Sequence, residues 1–317
     1  MKVSLAATVK DASPFVGEFL ASVAGQTRQP DEVIVVDGGS TDGTLELLRD
    51  ARGITLIEEP GANIARGRNV AVRAAAHDAI AVSDADCVLE PDWLQRVVEP
   101  LERGADVSMG VYRPLARTFF EECAAAISIK DPHEVREDTY LPSARSVAFR
   151  REAFERAGGY PEWMALGEDM YLNHRWRELG VRMDLARDAV VARRPRPDLA
   201  SYWRQFAGYA EHDARGGMHS GRHALRFAVY GALGVAVASR RRGLLALAAV
   251  AGGLYAAGPV RRAWRRMPGR RLAPLGAVPV LLAVTDLAKM TGYLRGLRRG
   301  RQPGPLPSPP SVALYSD

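Results

Sequence analysis

The chain has 317 residues and a net charge of +6, from 43 Lys/Arg and 37 Asp/Glu. From Ser201 onward 18 basic residues face 4 acidic ones, whereas the first 200 residues carry 25 against 33. The basic charge flanks apolar runs and does not cover the acidic part, which excludes nucleic-acid binding and predicts a cytosolic domain on a membrane-attached tail.

Residues 3–8 read as a first strand. Residues 14–24, opened by Ser13-Pro14, carry apolar residues at helical spacing. Residues 32–36 are a continuous β-branched run, as in a parallel strand buried on both faces. The cluster Asp37-Gly38-Gly39-Ser40-Thr41-Asp42-Gly43 reads as a turn. A helix over 44–52, a strand over 54–57 and a helix over 64–77 follow. A strand over 80–83 ends in Asp84-Ala85-Asp86, and a helix over 91–103 and a strand over 107–111 come next. This alternation with short connections predicts an α/β fold with a doubly wound sheet. In such sheets ligands bind outside the carboxyl ends of the strands. Three polar clusters fall there: 8–11, 37–42 and 84–86. Farther on, Gly167-Glu168-Asp169 precedes a helix over 170–179.

The second part changes character. Residues 227–238 and 243–260 are runs without a charge, and Arg240-Arg241-Arg242 lies between them. A third apolar stretch begins at Leu272 and continues through Asp286 and Lys289 to Leu297. A full span needs about 20 apolar residues. The second run reaches that length, and the first does so only with Arg226 snorkelling. The third, with charges one turn apart, reads as a third span or as an amphipathic helix in the membrane plane, with the in-plane reading favoured. Residues 301–317 are Pro-rich and expected to be disordered.

Cys87 and Cys123 are the only cysteines, so no disulfide framework and no CxxC site exist. Residues 1–10 lack the apolar core of a secretory signal, and the chain is expected to start folding at residue 3, on the cytoplasmic side. No GxGxxG follows a strand and no GxxxxGK[ST] is present, which disfavours a dinucleotide oxidoreductase and a P-loop NTPase. His212, His219 and His223 do not make a metal site, because Gly216-Gly217 and Gly221 interrupt the helix that would align them.

Asp84 and Asp86 stand two residues apart in an extended segment, hence on one side. Paired hard oxygen ligands suit Mg²⁺ or Mn²⁺. The turn after residue 36 also fits plain helix capping by Thr41 or Asp42. Glu168 and Asp169 fit either a favourable charge at a helix N-terminus or a general base.

Residues 1 to about 215 resemble a family 2 glycosyltransferase with the GT-A fold. The likeness lies in Val33-Ile34-Val35-Val36-Asp37-Gly38-Gly39-Ser40-Thr41-Asp42-Gly43-Thr44, Gly67-Arg68-Asn69, Asp84-Ala85-Asp86, Ala148-Phe149-Arg150-Arg151-Glu152-Ala153-Phe154, Gly158-Gly159-Tyr160 and Gly167-Glu168-Asp169. The tail, with Asp286-Leu287-Ala288-Lys289-Met290-Thr291-Gly292-Tyr293, is similar to the succinoglycan and exopolysaccharide subgroup. The resemblance implies a catalytic domain over 1–215, membrane-associated helices in two or three segments over 216–300, and the tail over 301–317. It implies that Thr8 and Asp37 bind the nucleoside, that Arg68 approaches the diphosphate or base, and that Asp84 faces the ribose or a metal-bound water. Asp86, with Asp84, would hold Mg²⁺ or Mn²⁺. Asp169 would deprotonate the acceptor hydroxyl, with Glu168 beside it. Arg204, in Trp203-Arg204-Gln205-Phe206, would contact the diphosphate.

Two positions depart from the family. Lys10 replaces an aromatic and Gly38 a second Asp, so uridine is not implied. The implied function is inverting transfer from a nucleoside-diphosphate sugar to a glycan or lipid-linked acceptor. The implied place is the cytoplasmic face of the inner membrane, in contact with membrane lipids. Transfer to a polyprenyl phosphate and a catalytically silent scaffold of the same fold are the alternatives. The Gly-Glu-Asp motif argues against the first, since an ionised phosphate needs no base.

Overall fold

The computed structural model describes residues 1–270 and 272–301. The described chain divides into two compact units. The first is Met1–Arg113 with Pro132–Arg194, and the second is Pro114–Asp131 with the chain from Pro195 onward. Of the predicted Pro-rich tail, all but Arg301 lies outside the described residues.

The first unit contains, in chain order, β1 (Val3–Val9), α1 (Val16–Ala24), β2 (Glu32–Asp37), α2 (Thr44–Arg49), β3 (Thr55–Glu58), α3 (Ile64–Ala74), β4 (Ala79–Asp84), β5 (Cys87–Leu89), α4 (Trp93–Glu102) and β6 (Val107–Pro114). After α5 (Phe119–Ser128), which belongs to the second unit, come β7 (Val147–Arg150), α6 (Arg151–Ala157), α7 (Glu168–Glu178) and β8 (Met183–Arg193). The second unit continues with α8 (Leu199–Gly216), α9 (Ser220–Ser239), α10 (Arg242–Arg266) and α11 (Ala273–Arg298).

The strands form one mixed sheet of order β3-β2-β1-β4-β7-β6-β8-β5. The first four are parallel, and β7 joins antiparallel to β4. The α/β expectation holds, and the β-branched run is buried on both faces as its composition requires. Side chains alternate along it. Val33 and Val35 pack with Phe19 of α1 and Trp93 of α4. Ile34 and Val36 pack with Val72 of α3, Phe149, Phe154 and Trp176. Register then places the functional ends. Thr8 stands opposite both Val36 and Asp84, and Val9 stands opposite Asp37. Three predicted site residues therefore meet at one carboxyl edge of the sheet.

In the second unit α8 and α11 cross at very short range. A Cβ on Gly292 would lie 2.0 Å from the Ala207 carbonyl oxygen, and one on Gly296 would lie 2.3 Å from that of Glu211. Glycines four residues apart let two backbones approach this closely, as in membrane helix pairs. The core here is Tyr202, Phe206, Val260, Leu281 and Leu282, joined by Cys123 and Ala124 of α5. α9, α10 and α11 also expose Leu225, Val235, Leu247, Leu254 and Val280. Among the described residues two helices are long and apolar enough to cross a membrane: Arg242–Arg266 and Ala273–Arg298. The third apolar stretch, expected in the membrane plane, is thus of spanning length, because the helix runs on through Asp286 and Lys289. Asp286 is buried and its charge is met by Arg226 at 2.7 Å and by the Tyr230 hydroxyl at 3.1 Å.

The crossing makes a direct expectation. Gly292→Leu should cost about 3 kcal/mol or more, since no rotamer avoids the Ala207 carbonyl. Gly234→Ala, where nothing lies within 4 Å, should be close to neutral. Unfolding midpoints of the two variants in one detergent check this.

Candidate active site

The loop after β2 is built by Asp37. Its Oδ1 accepts from the backbone N–H groups of Gly39 and Ser40, both at 2.9 Å, and its Oδ2 accepts from the Ser40 hydroxyl at 2.5 Å. Gly39 needs its positive φ of 88°, and a Cβ there would sit 3.3 Å from the Gly61 backbone. Gly38 is equally confined, with a Cβ position 3.0 Å from the Ala62 carbonyl. The departure at Gly38 therefore has a packing cause.

The loop after β1 is laced to this one. Ser40 Oγ accepts from Asp11 N at 2.9 Å, and Thr41 N donates to Asp11 Oδ1 at 2.8 Å. Thr44 Oγ1 accepts from Ala12 N and Asp42 Oδ2 from Ser13 N. The Thr44 hydroxyl, which donates to Asp42, is the main cause that holds the Asp42 carboxyl down at about 2. Thr41 and Asp42 thus serve the loop pair, and Asp42 also accepts from Thr44 N.

Three consecutive residues of α3 each do one job. Gly67 lets the helix approach β1, since a Cβ there would lie 3.0 Å from Thr8 Cγ2. Asn69 binds the Tyr160 backbone in both directions, donating at 2.8 Å and accepting at 3.0 Å. Arg68 points between them and is buried. Its Nη2 donates to Asp84 Oδ1 at 2.5 Å, and its Nη1 donates to Glu168 Oε1. Its guanidinium carbon lies 5.5 Å from the Tyr160 ring centre. Gly159, with φ 76°, leaves room for Asn69 and Phe154.

Arg68 so joins the end of β4 to the first turn of α7. Gly167, with φ 80°, precedes that turn, and Glu168 and Asp169 occupy it. Asp169 is half-buried and accepts from Met170 N at 2.8 Å and from Ala144 N at 3.3 Å. Glu168 is buried.

One guanidinium cannot neutralise two carboxylates, and they diverge. Burial raises both. For Asp84 the positive charges of Arg68 and Arg145 outweigh burial and hold the carboxyl below its usual value. For Glu168 burial outweighs Arg68, the Asp169 charge adds to it, and the carboxyl is pushed up to about 7. Burial also works against the charge on Arg68, yet Asp84 and Glu168 keep it firmly protonated.

Asp86 differs from Asp84. Its side chain is 34% exposed against 8%. Arg145 faces both, with Nε 3.4 Å from Asp84 Oδ2 and 3.8 Å from Asp86 Oδ1. Arg194 donates to the Asp86 carbonyl at 3.4 Å, forms an ion pair with Glu18 and lies over the Phe15 ring. For a divalent cation the hard donors are present: Asp86 on the open side, and Asp84 Oδ2 beyond the oxygen that Arg68 takes.

The structure thus brings together Thr8, Asp37, Arg68, Asp84, Asp86, Glu168 and Asp169. Arg204 is exposed on α8, in the second unit. Arg145 and Arg194 carry no sequence signal of their own. Arg145 lies in a loop without a motif, and only its basic character could draw attention to it. Of the histidines, His223 is buried and paired with Asp213 at 3.0 Å, so it serves the helical unit.

Comparison with known proteins now identifies this arrangement. Residues 4–156 match the family model for glycosyl transferase family 2. The chain carries a family 2 glycosyltransferase domain. It is 29% identical over 206 residues to the O-antigen chain rhamnosyltransferase RfbN of Salmonella typhimurium, covering 60% of this chain and 66% of that protein. It is 28% identical over 198 residues to the succinoglycan biosynthesis protein ExoA of Rhizobium meliloti, covering 58% and 60%. The matches thus span under two thirds of these relatives' lengths. A mannosyltransferase from Pyrobaculum calidifontis, solved with GDP-Man and Mn²⁺, shares the fold with a TM-score of 0.61 and 22% identity, over 92% of this chain and 87% of that one. The mixed sheet with C-terminal helices is the GT-A fold of these enzymes.

The raised Glu168 makes the first unit sensitive to pH in one window. Above 4.5, the ordinary value, the unfolded state releases this proton while the folded state keeps it up to about 7. The folded state binds more protons there, so stability falls as pH rises from 4.5 to 7, by roughly 3 kcal/mol from this group. The lowered Asp84 acts with the opposite sign and only near or below its ordinary 3.8. Thermal unfolding of wild type and Glu168→Gln at pH 5 and pH 8 should show the wild type losing stability relative to the variant. An unchanged difference would contradict the assignment.

Proposed function

We propose that the chain is an inverting glycosyltransferase that moves a sugar from a nucleoside-diphosphate sugar to a hydroxyl of a glycan or lipid-linked acceptor at the cytoplasmic face of the inner membrane. The observation that carries this reading is the Arg68 bridge. It ties the strand-end carboxylates to the first turn of α7, so that Asp86 and Asp169 serve one site while Asp84 and Glu168 are held in place.

Each residue then has a role. Thr8 and the loop shaped by Asp37 receive the nucleoside. Asp86 and Asp84 would hold Mg²⁺ or Mn²⁺, and Asp84 would face the ribose. The cation, when bound, neutralises charge that develops on the leaving diphosphate. Arg145 and Arg194 add positive charge at the same edge, and Arg68 acts through Asp84 and Glu168. Arg204 remains a candidate for the diphosphate. An alcohol is a poor nucleophile at neutral pH, so Asp169 takes the acceptor proton as its oxygen attacks the anomeric carbon. The diphosphate leaves from the opposite face, which inverts the configuration. Burial raises the Glu168 carboxyl to about 7, which lessens the negative charge beside the base.

Two relatives named for polymeric surface glycans, an O-antigen chain and succinoglycan, favour a polysaccharide or lipid-linked acceptor. The mannosyltransferase of like fold was solved with Mn²⁺, which puts that cation first among those to test. The two helices of spanning length, and the arginines between α9 and α10 and at the end of α10, favour a membrane location.

A thermal-shift panel of sugar nucleotides with Mn²⁺ should find one donor that raises the unfolding midpoint, because a ligand of the native state stabilises it by mass action. With that donor, Asp169→Asn should lower kcat by about 100-fold or more while the donor-induced shift persists. Asp86→Ala should remove the part of the shift that depends on Mn²⁺. Wild-type turnover in Asp169→Asn would remove the base assignment.

A further inference from the structure

The loop before β7 is held to the sheet. Ser83 Oγ donates to the Arg145 carbonyl at 2.9 Å, and Arg145 Nη1 donates to Ser143 Oγ at 3.2 Å. These bonds hold the Arg145 backbone and the tip of its side chain, which is 15% exposed. Its Nε faces Asp84 Oδ2, the oxygen that Arg68 leaves on that carboxylate, and Asp86 Oδ1, one of the two on the other. The positively charged group therefore stands against the same two carboxylates that would hold the metal. Both cannot stay there. Two positive centres about 4 Å apart in a partly buried site repel by several kcal/mol.

We propose that Arg145 keeps the place of the divalent cation in the donor-free domain and passes to the donor's diphosphate when cation and donor bind together. The inference rests on the metal reading above. Two consequences follow from the charges. Without nucleotide, a cation must displace Arg145 from the carboxylates without offering it a phosphate in exchange, so it binds weakly. With a nucleoside diphosphate present, the displaced guanidinium gains a phosphate partner in the geometry Arg favours. Cation and nucleotide then bind cooperatively, and the coupling runs through Arg145. In the absence of both, Arg145 keeps Asp84 and Asp86 from facing each other as uncompensated charges. It is a positioning residue for the donor complex, and the proton transfer at Asp169 does not require it.

The test is Mn²⁺ binding to the full chain in detergent, read from the paramagnetic resonance of free Mn²⁺, alone and with UDP, GDP or dTDP. Wild type should bind Mn²⁺ at least about 10-fold more tightly with the matching diphosphate than alone, a coupling within the range of allosteric pairs. Arg145→Gln should bind Mn²⁺ alone about 5-fold more tightly than wild type and lose most of the nucleotide-induced gain. Arg145→Lys, which restores the charge, should recover part of it. A merely structural role would weaken both measurements together. Equal wild-type Mn²⁺ affinity with and without nucleotide overturns the proposal, as does an unchanged coupling in Arg145→Gln. The wild-type arm decides even where a variant fails to fold. Absence of Mn²⁺ binding with all three diphosphates removes the metal reading and this inference with it, whereas the Asp169→Asn kinetics test the transferase reading separately.

Discussion

The buried guanidinium of Arg68 organises the first unit's chemistry. It reaches Asp84, 16 residues away at the end of β4, and Glu168, 100 residues away at the start of α7. Removing such charged groups from water is expensive, and replacing such a cluster with apolar side chains often stabilises a protein. Fold stability alone is thus a weak reason for it. The arrangement has a geometric result instead. It fixes which carboxylates are consumed internally, Asp84 Oδ1 and Glu168, and leaves Asp86 and Asp169 half-exposed in the same neighbourhood. The Tyr160 ring under the guanidinium and the Asn69 contacts to the Tyr160 backbone hold the bridge in one orientation.

The same economy explains Asp37. A carboxylate at a strand end suggests direct contact with a nucleoside. Here it accepts three hydrogen bonds from its own loop. Its first effect is to shape residues 38–43 and to lock them to the loop after β1 through Ser40, Thr41 and Asp42. Any nucleoside contact by Asp37 uses lone pairs left over from that work. The N-cap of α2 is Gly43, without a side-chain cap bond, so Thr41 and Asp42 hold the loop pair together in place of the expected capping.

Much of the first unit is legible in the sequence because its strands are buried on both faces. Short continuous apolar runs at 3–8, 32–36 and 80–83, each closed by a polar cluster, fit buried parallel strands better than helices. The acidic clusters that end them converge by topology. Helix ends shift by a few residues: the helix expected over 64–77 stops at Ala74, and that over 170–179 begins at Glu168. Other features lack a local signal. β5, with three residues, and β7, with four, are strands only because β8 and β4 pair with them. The grouping of Pro114–Asp131 with the C-terminal helices depends on packing of Cys123 and Ala124 against distant residues. Arg145 is invisible in sequence because its role comes from where the loop before β7 places it.

Net charge is the case where the sequence misleads unless it is followed into space. The acidic first part suggests a site rich in bare carboxylates. The structure surrounds Asp84, Asp86, Glu168 and Asp169 with Arg68, Arg145 and Arg194, and Arg193 further lowers Asp84. The site is nearly balanced, and its carboxylates are held apart by guanidinium groups. A diphosphate entering alone would meet the arginines together with the carboxylates that already satisfy them. On the proposed reading, a diphosphate entering with a divalent cation would bring a compensating charge for Asp86 and Asp84 and free an arginine for itself. Local balance, not the sign of the total, makes the paired ligand the better fit.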